Sequence, residues 1–234
     1  AAPGSGALAA AERFWRLPLP RPVSPASAML VPVAVPLNAA GFSPAAVAFL
    51  GRTFGEYGFE PVQGGGTGQA EGPTSFTPGS ALAVQLVSGD MSLASTGTVT
   101  AVDGSRALGF GHRMFNAGEI YLPVATARIN HTLASLERSS KIASPARVIG
   151  ALVQDRQAGI LVDTAKRSAT VPMTLTMRYH GQTRVFRVRL AQHRLLLPNL
   201  MATVLSSALS EGIPDVDHTS FKMVTRFAVR GYGV

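Results

Sequence analysis

Between Thr96 and Phe115 the chain reads TGTVTAVDGSRALGFGHRMF, and this stretch restricts the fold more than any other. Val99 and Ala101 alternate with threonines, Asp103-Gly104 is a hairpin signal, and Ala107-Leu108 restarts the apolar run. Two short strands joined by so tight a turn must pair antiparallel, so the chain must build a β-sheet. Gly109 and Gly111 then flank Phe110 and lead into His112. Small residues beside an imidazole let backbone or a ligand approach it closely, which makes His112 a candidate catalytic residue.

Composition points the same way. Of 234 residues 46% are hydrophobic, enough for a substantial core, while 24 glycines and 16 prolines call for many turns. The expected class is mainly β with a few helices, an α+β fold. No apolar run reaches the roughly 18 residues a membrane span needs. The net charge of +8 comes from scattered arginines, with Lys141, Lys166 and Lys222 the lysines. Arg184, Arg187 and Arg189 are the one concentration; alternation places Arg187 and Arg189 on one solvated face, without the interleaved aromatics of a nucleic-acid platform. No nucleic-acid partner is expected. The lack of cysteine excludes disulfides, thiolate catalysis and cysteine zinc sites, and leaves the compartment open. Ala1 is not an initiator Met and the C-terminal residues read as an interrupted strand, so the expectation is a piece of a longer protein.

Along the chain, residues 1–28 read as an Ala-, Gly- and Pro-rich linker, residues 29–168 as one β-rich domain and 169–234 as a second, truncated β-rich domain. Leu30–Pro36 reads as an edge strand. A helix follows with Ser43 as N-cap, Pro44 at its first position and Gly58 as stop. After a glycine-rich loop (Gln63–Gly79), strands are expected at Ala81–Val87, Met91–Val102, Arg106–Phe110, Ile120–Leu133, Lys141–Asp155, Ala158–Val162, Val171–Tyr179 and Gln182–Leu190. Pro198–Glu211 has helical spacing with Gly212 as C-cap, and Ser220–Val229 reads as a last strand.

Few motifs carry chemistry. Gly64-Gly65-Gly66-Thr67-Gly68 lacks the Lys-Ser/Thr of a P-loop, and Gly109-Phe110-Gly111 lacks the third glycine of a dinucleotide fingerprint. His112, His131, His180, His193 and His218 show no zinc spacing, so no metal or cofactor is expected. A catalytic His112 needs a nucleophile and an orienting acid. Glu119, Asp155 and Asp163 are the candidate acids. Asp155 ends an apolar strand, where it also reads as a turn residue paired with Arg156 or solvated. No serine is a convincing nucleophile: Ser80 and Ser88 read as turn residues and Ser43 as a cap.

The run PGSALAVQLVSGDMSLASTGTVTAVDGSRALGFGHRMFNAG, Pro78 to Gly118, resembles the central segment of SpoIVB-type serine peptidase domain proteins, large envelope-associated bacterial proteins. So do ASPARVIGALVQDRQAGI, Ala143 to Ile160, and AAGFSPAAVAFLGRTFGEYGFEPVQGGG, Ala39 to Gly66. The resemblance spans about residues 30 to 180. It implies a trypsin-like β-barrel serine endopeptidase acting on a protein or peptide, with His112 as general base. It also implies a bacterial envelope or secreted location. The family's Gly-Met-Ser-Gly-Ser-Pro motif is missing from these residues, so the nucleophile is expected outside them and the chain alone is expected to be inactive. Asp155 receives no role from the resemblance. The alternative expectation is a non-catalytic envelope module that binds a peptide or protein.

Overall fold

The computed structural model describes residues 34–64, 66, 71–133, 140–179, 181–212, 220 and 222–229. The expected linker at 1–28, most of the Leu30–Pro36 strand, part of the glycine-rich loop, His180 and His218 lie outside them. Ten strands and two helices follow in order: β1 (Val35–Ala40), α1 (Pro44–Phe54), β2 (Phe59–Gln63), β3 (Ala81–Gly89), β4 (Ser92–Asp103) and β5 (Arg106–Gly109). Then come β6 (Gly118–Leu133), β7 (Ser140–Arg156), β8 (Gly159–Asp163), β9 (Thr170–Tyr179), β10 (Gln182–Ala191) and α2 (Leu197–Gly212). The protein is mainly β with two helices, the class that composition and turn spacing predict.

All ten strands belong to one sheet, in the order β2-β1-β4-β5-β8-β7-β6-β3-β10-β9. A further pairing of β3 with β4 (Ala81↔Thr98 through Gln85↔Ala94) joins the middle of that order to itself. Six antiparallel strands, β3, β4, β5, β8, β7 and β6, therefore close into a ring. Closure removes the exposed edges that an open sheet of this length would present. The core fills with alternating residues: on β5, Ala107 and Gly109 are buried while Arg106 and Leu108 are exposed. Leu82, Val84, Leu122, Val124, Leu152, Ile160 and Val162 join Ala107 in the main cluster.

Two pairs of strands flank the ring. On one side β1 pairs with the start of β4 (Asn38↔Ala94) and takes β2 as a parallel partner (Val35↔Phe59). Parallel strands need a crossover, and α1 supplies it. The Ser43 hydroxyl accepts the Ala46 N–H at 3.2 Å, Pro44 begins the helix, and Gly58 ends the following turn at φ +82°. Ala46, Leu50 and Phe54, four residues apart, form its buried face. On the other side β10 pairs with the end of β3 (Leu190↔Val87) and with β9 along its whole length. Arg187 and Arg189 are exposed while the alternating Val188 and Leu190 are buried, as the alternation predicts. The helix α2 ties to this flank through Arg184–Glu211, and Ser207 accepts the Ser43 N–H at 2.8 Å across to α1.

Three expectations are corrected. The first strand begins at Val35 rather than ending at Pro36, and it lies between β2 and β4 instead of at an edge. The strand β2 has no counterpart in the sequence reading. At the other end, residues 222–229 form no strand, and Met223, Val224, Phe227 and Val229 stand exposed. Residues 34–234 form one compact unit.

Candidate functional site

The histidine loop starts from a tight hairpin in the ring. Asp103 pairs with Arg106 in register, leaving Gly104-Ser105 as a two-residue loop with Gly104 at φ +55°, a glycine-first hairpin turn. A bulge between Val99 and Ala101 adds twist to β4 opposite the end of β5. There the chain turns sharply: Phe110 N–H donates to Thr98 O at 3.0 Å and Gly111 N–H to Gly109 O at 2.9 Å. The second bond skips one residue, so Phe110, at φ +70°, is the centre of a γ-turn of the rare hand. A bulky side chain at such a φ costs about 1–3 kcal/mol and persists only where its surroundings enforce it. Gly97 on β4 makes room for it: a Cβ there would overlap the Phe110 ring. Gly111 continues at φ +73°, and His112 follows, exposed, with its ring 5.4 Å from that of Phe110.

The imidazole makes one hydrogen bond, Nδ1 to the Arg113 carbonyl at 2.8 Å. A carbonyl only accepts, so Nδ1 carries the proton and the neutral ring keeps its lone pair on Nε2. That is the tautomer a general base requires.

Asp155 holds the rest of the loop. It lies at the end of β7, 0% exposed, opposite Gly118 and Ile160 in register. Its Oδ1 accepts the Met114 N–H at 2.8 Å; its Oδ2 accepts Phe115 N–H at 2.5 Å and Ala117 N–H at 3.4 Å. The chain adopts φ +58° at Asn116, within this group of donors, and +72° at Gly118, where β6 begins. Met114 is buried beneath the loop, and Phe115 packs on Phe59 with ring centroids 4.7 Å apart. The neighbouring Arg156 bonds Gln154 instead of Asp155, so the carboxylate is neither a solvated turn residue nor an Arg156 partner. His112 and Asp155 belong to the same loop assembly, but no hydrogen bond or ion pair joins them. No family model, curated protein or solved structure matches this chain.

The other candidate acids stand apart. Glu119 accepts the Tyr121 hydroxyl at 3.0 Å. Asp163 pairs with Arg106 at the opposite end of β5 from His112. The Ala165 N–H, the Ser105 side chain, Lys166 and Arg106 hold its carboxyl below the ordinary carboxylate range. Ser80 donates to Thr77 O at 2.7 Å within a turn and Ser43 caps α1, as the sequence suggests, whereas Ser88 lies in β3 opposite Arg189 and not in a turn. His131 is exposed on β6. Among the described residues no three histidine, aspartate or glutamate side chains gather as metal ligands.

One histidine carries more than its sequence context suggests. His193 lies between β10 and α2, and its Nδ1 is buried without a partner. Burial, followed by the charge of Arg194, lowers its pKa. Nothing in its neighbours Gln192 and Arg194 signals this. The depth comes from packing after the chain has folded.

Proposed function

We propose that this chain is the histidine-bearing part of a SpoIVB-like serine endopeptidase domain of the bacterial envelope, cleaving a protein or peptide. The observation that carries the reading is the Nδ1–H bond of His112 to the Arg113 carbonyl. It leaves Nε2 as the proton-accepting atom on an exposed loop at the end of a closed antiparallel ring. In this role Nε2 takes the proton from a serine hydroxyl as the oxygen attacks the scissile carbonyl, then returns it to the leaving amine. The serine comes from residues outside the chain. Asp155 acts as a positioning residue: its three backbone contacts fix the loop, and a carbonyl takes the place of a carboxylate at Nδ1.

The experiment is labelling with a serine-directed fluorophosphonate. The full-length protein is expected to label, and His112→Ala to abolish labelling while the protein stays folded by circular dichroism. Labelling of the 234-residue chain alone, or full retention in His112→Ala, would sink the reading.

A second reading is a non-catalytic envelope module that binds a peptide or protein. The favouring observation is that the Asp155 carboxylate is occupied by backbone amides and not by the imidazole. It predicts no labelling of the full-length protein.

A further inference from the structure

At the other end of β5 from His112, a cleft of about 240 Å³ opens beside the Gly104-Ser105 turn. Two arginines line it. Arg167 is fixed in place: its Nη1 donates to Thr164 O at 2.8 Å and to Ile149 O and Lys166 O at 3.0 Å each. Among the described residues its Nε and Nη2 make no hydrogen bond. Arg106 faces Asp163, whose carboxyl is already engaged by the Ala165 N–H and the Ser105 side chain. Phe76 and Ile149, 7% and 9% exposed, supply part of its apolar lining, and Thr74, Ser75, Ser105 and Thr164 add polar side chains.

Each element of this arrangement has a chemical meaning. A guanidinium held by one nitrogen offers its remaining planar fork already oriented, and that fork matches the two oxygens of a carboxylate. Pre-organisation removes much of the ordering entropy that weakens surface arginine contacts. The apolar part of the lining favours a carboxylate attached to a small hydrocarbon group over a fully hydrated anion such as phosphate. A liquid water occupies about 30 Å³, so the cleft admits a carboxylate with a few carbons.

We infer that this cleft binds a carboxylate carried on a small apolar group, either a free short-chain acid or the C-terminus of a peptide. The inference does not depend on the role proposed for His112. Binding is read from amide and arginine side-chain NMR shifts of the 234-residue chain. The probes are 3-phenylpropionate, a tripeptide ending in leucine, the same tripeptide amidated, and inorganic phosphate. Saturable shifts at Ser105, Arg106 and Arg167 are expected with a dissociation constant on the order of 0.1–1 mM. Arg106→Ala should weaken binding about tenfold, the loss of one charge-assisted contact. Arg167→Lys, which keeps the charge but loses the fork, should weaken it similarly. Arg106 is exposed, so its variant decides the matter if Arg167→Lys unfolds. Binding of the acid alone assigns the site to free acids, and binding of the free but not the amidated tripeptide assigns it to chain ends. Equal binding of phosphate, equal binding of the amidated tripeptide, or no shift at 10 mM (~100 times the tighter expected constant) would overturn the inference.

Discussion

Phe110 shows what a single residue contributes here and how little of it the sequence displays. The pair Gly109-Gly111 announces a turn, but nothing in Gly-Phe-Gly says that the phenylalanine, and not a glycine, takes the strained centre of it. The cause is thirteen positions away by number, at Gly97, whose missing side chain leaves room for the ring. His193 is a second case of a property that arises from packing. Its lowered pKa means that the unfolded chain binds a proton more readily than the folded one. Stability then rises with pH through that window: this share is complete above the ordinary histidine value of 6.5 and is lost as pH falls through the folded value. Asp163 works in the same direction at lower pH, with its share present above 3.8 and lost below its folded value. The thermal midpoint is therefore expected to fall from pH 7 to pH 5. In His193→Gln the fall should be smaller. An equal fall in both proteins, followed by circular dichroism, would remove His193 as its source.

At the scale of elements the sequence is more legible. From β3 to α2 the expected segments match the observed ones within one or two residues, because glycine turns and strict alternation mark the ends. The exceptions have physical reasons. Phe59–Gln63 lacks alternation and contains Pro61, so its strand character comes from the parallel partner it finds across α1. Residues 222–229 are rich in apolar side chains but pair with no strand among the described residues, and apolar content without pairing does not make a strand. Asp155 was visible as the end of a strand, yet its three partners are backbone N–H groups, which every sequence contains and none advertises. Its role is to fasten the loop after His112 to β7. Asp155→Asn replaces one acceptor oxygen by a donor facing Phe115 or Met114 N–H. It should cost about 1–3 kcal/mol, the usual penalty for a buried polar group left unmatched. Urea unfolding measures the loss, and faster hydrogen exchange at Met114, Phe115 and Ala117 locates it. Unchanged exchange there would show that the carboxylate does not fasten the loop.

For the whole molecule, the sequence supports an antiparallel β protein but not the ring. Period-two alternation tells which face a residue occupies and is silent about which strand lies beside it. The pairing of β5 with β8 and of β3 with β6 depends on how six twisted strands meet, and twist is a property of the assembled sheet. A second fact belongs to this scale: among the described residues no helix is long and apolar enough to cross a membrane.

The ring also sets an order in time. The β4–β5 hairpin closes over two residues and can form within microseconds, but the pairings of Leu82 with Thr126 and Arg106 with Asp163 must first bring distant chain together. Asp155 arrives with β7, on the late side of that divide. Its grip on Met114, Phe115 and Ala117 therefore waits for most of the chain to assemble. In a pulse-labelling refolding experiment the amides of Arg106 and Leu108, which face β4, should be protected before those three; simultaneous protection would contradict this order. The exposed histidine sits on an early hairpin, and its setting is among the last things the folding chain acquires.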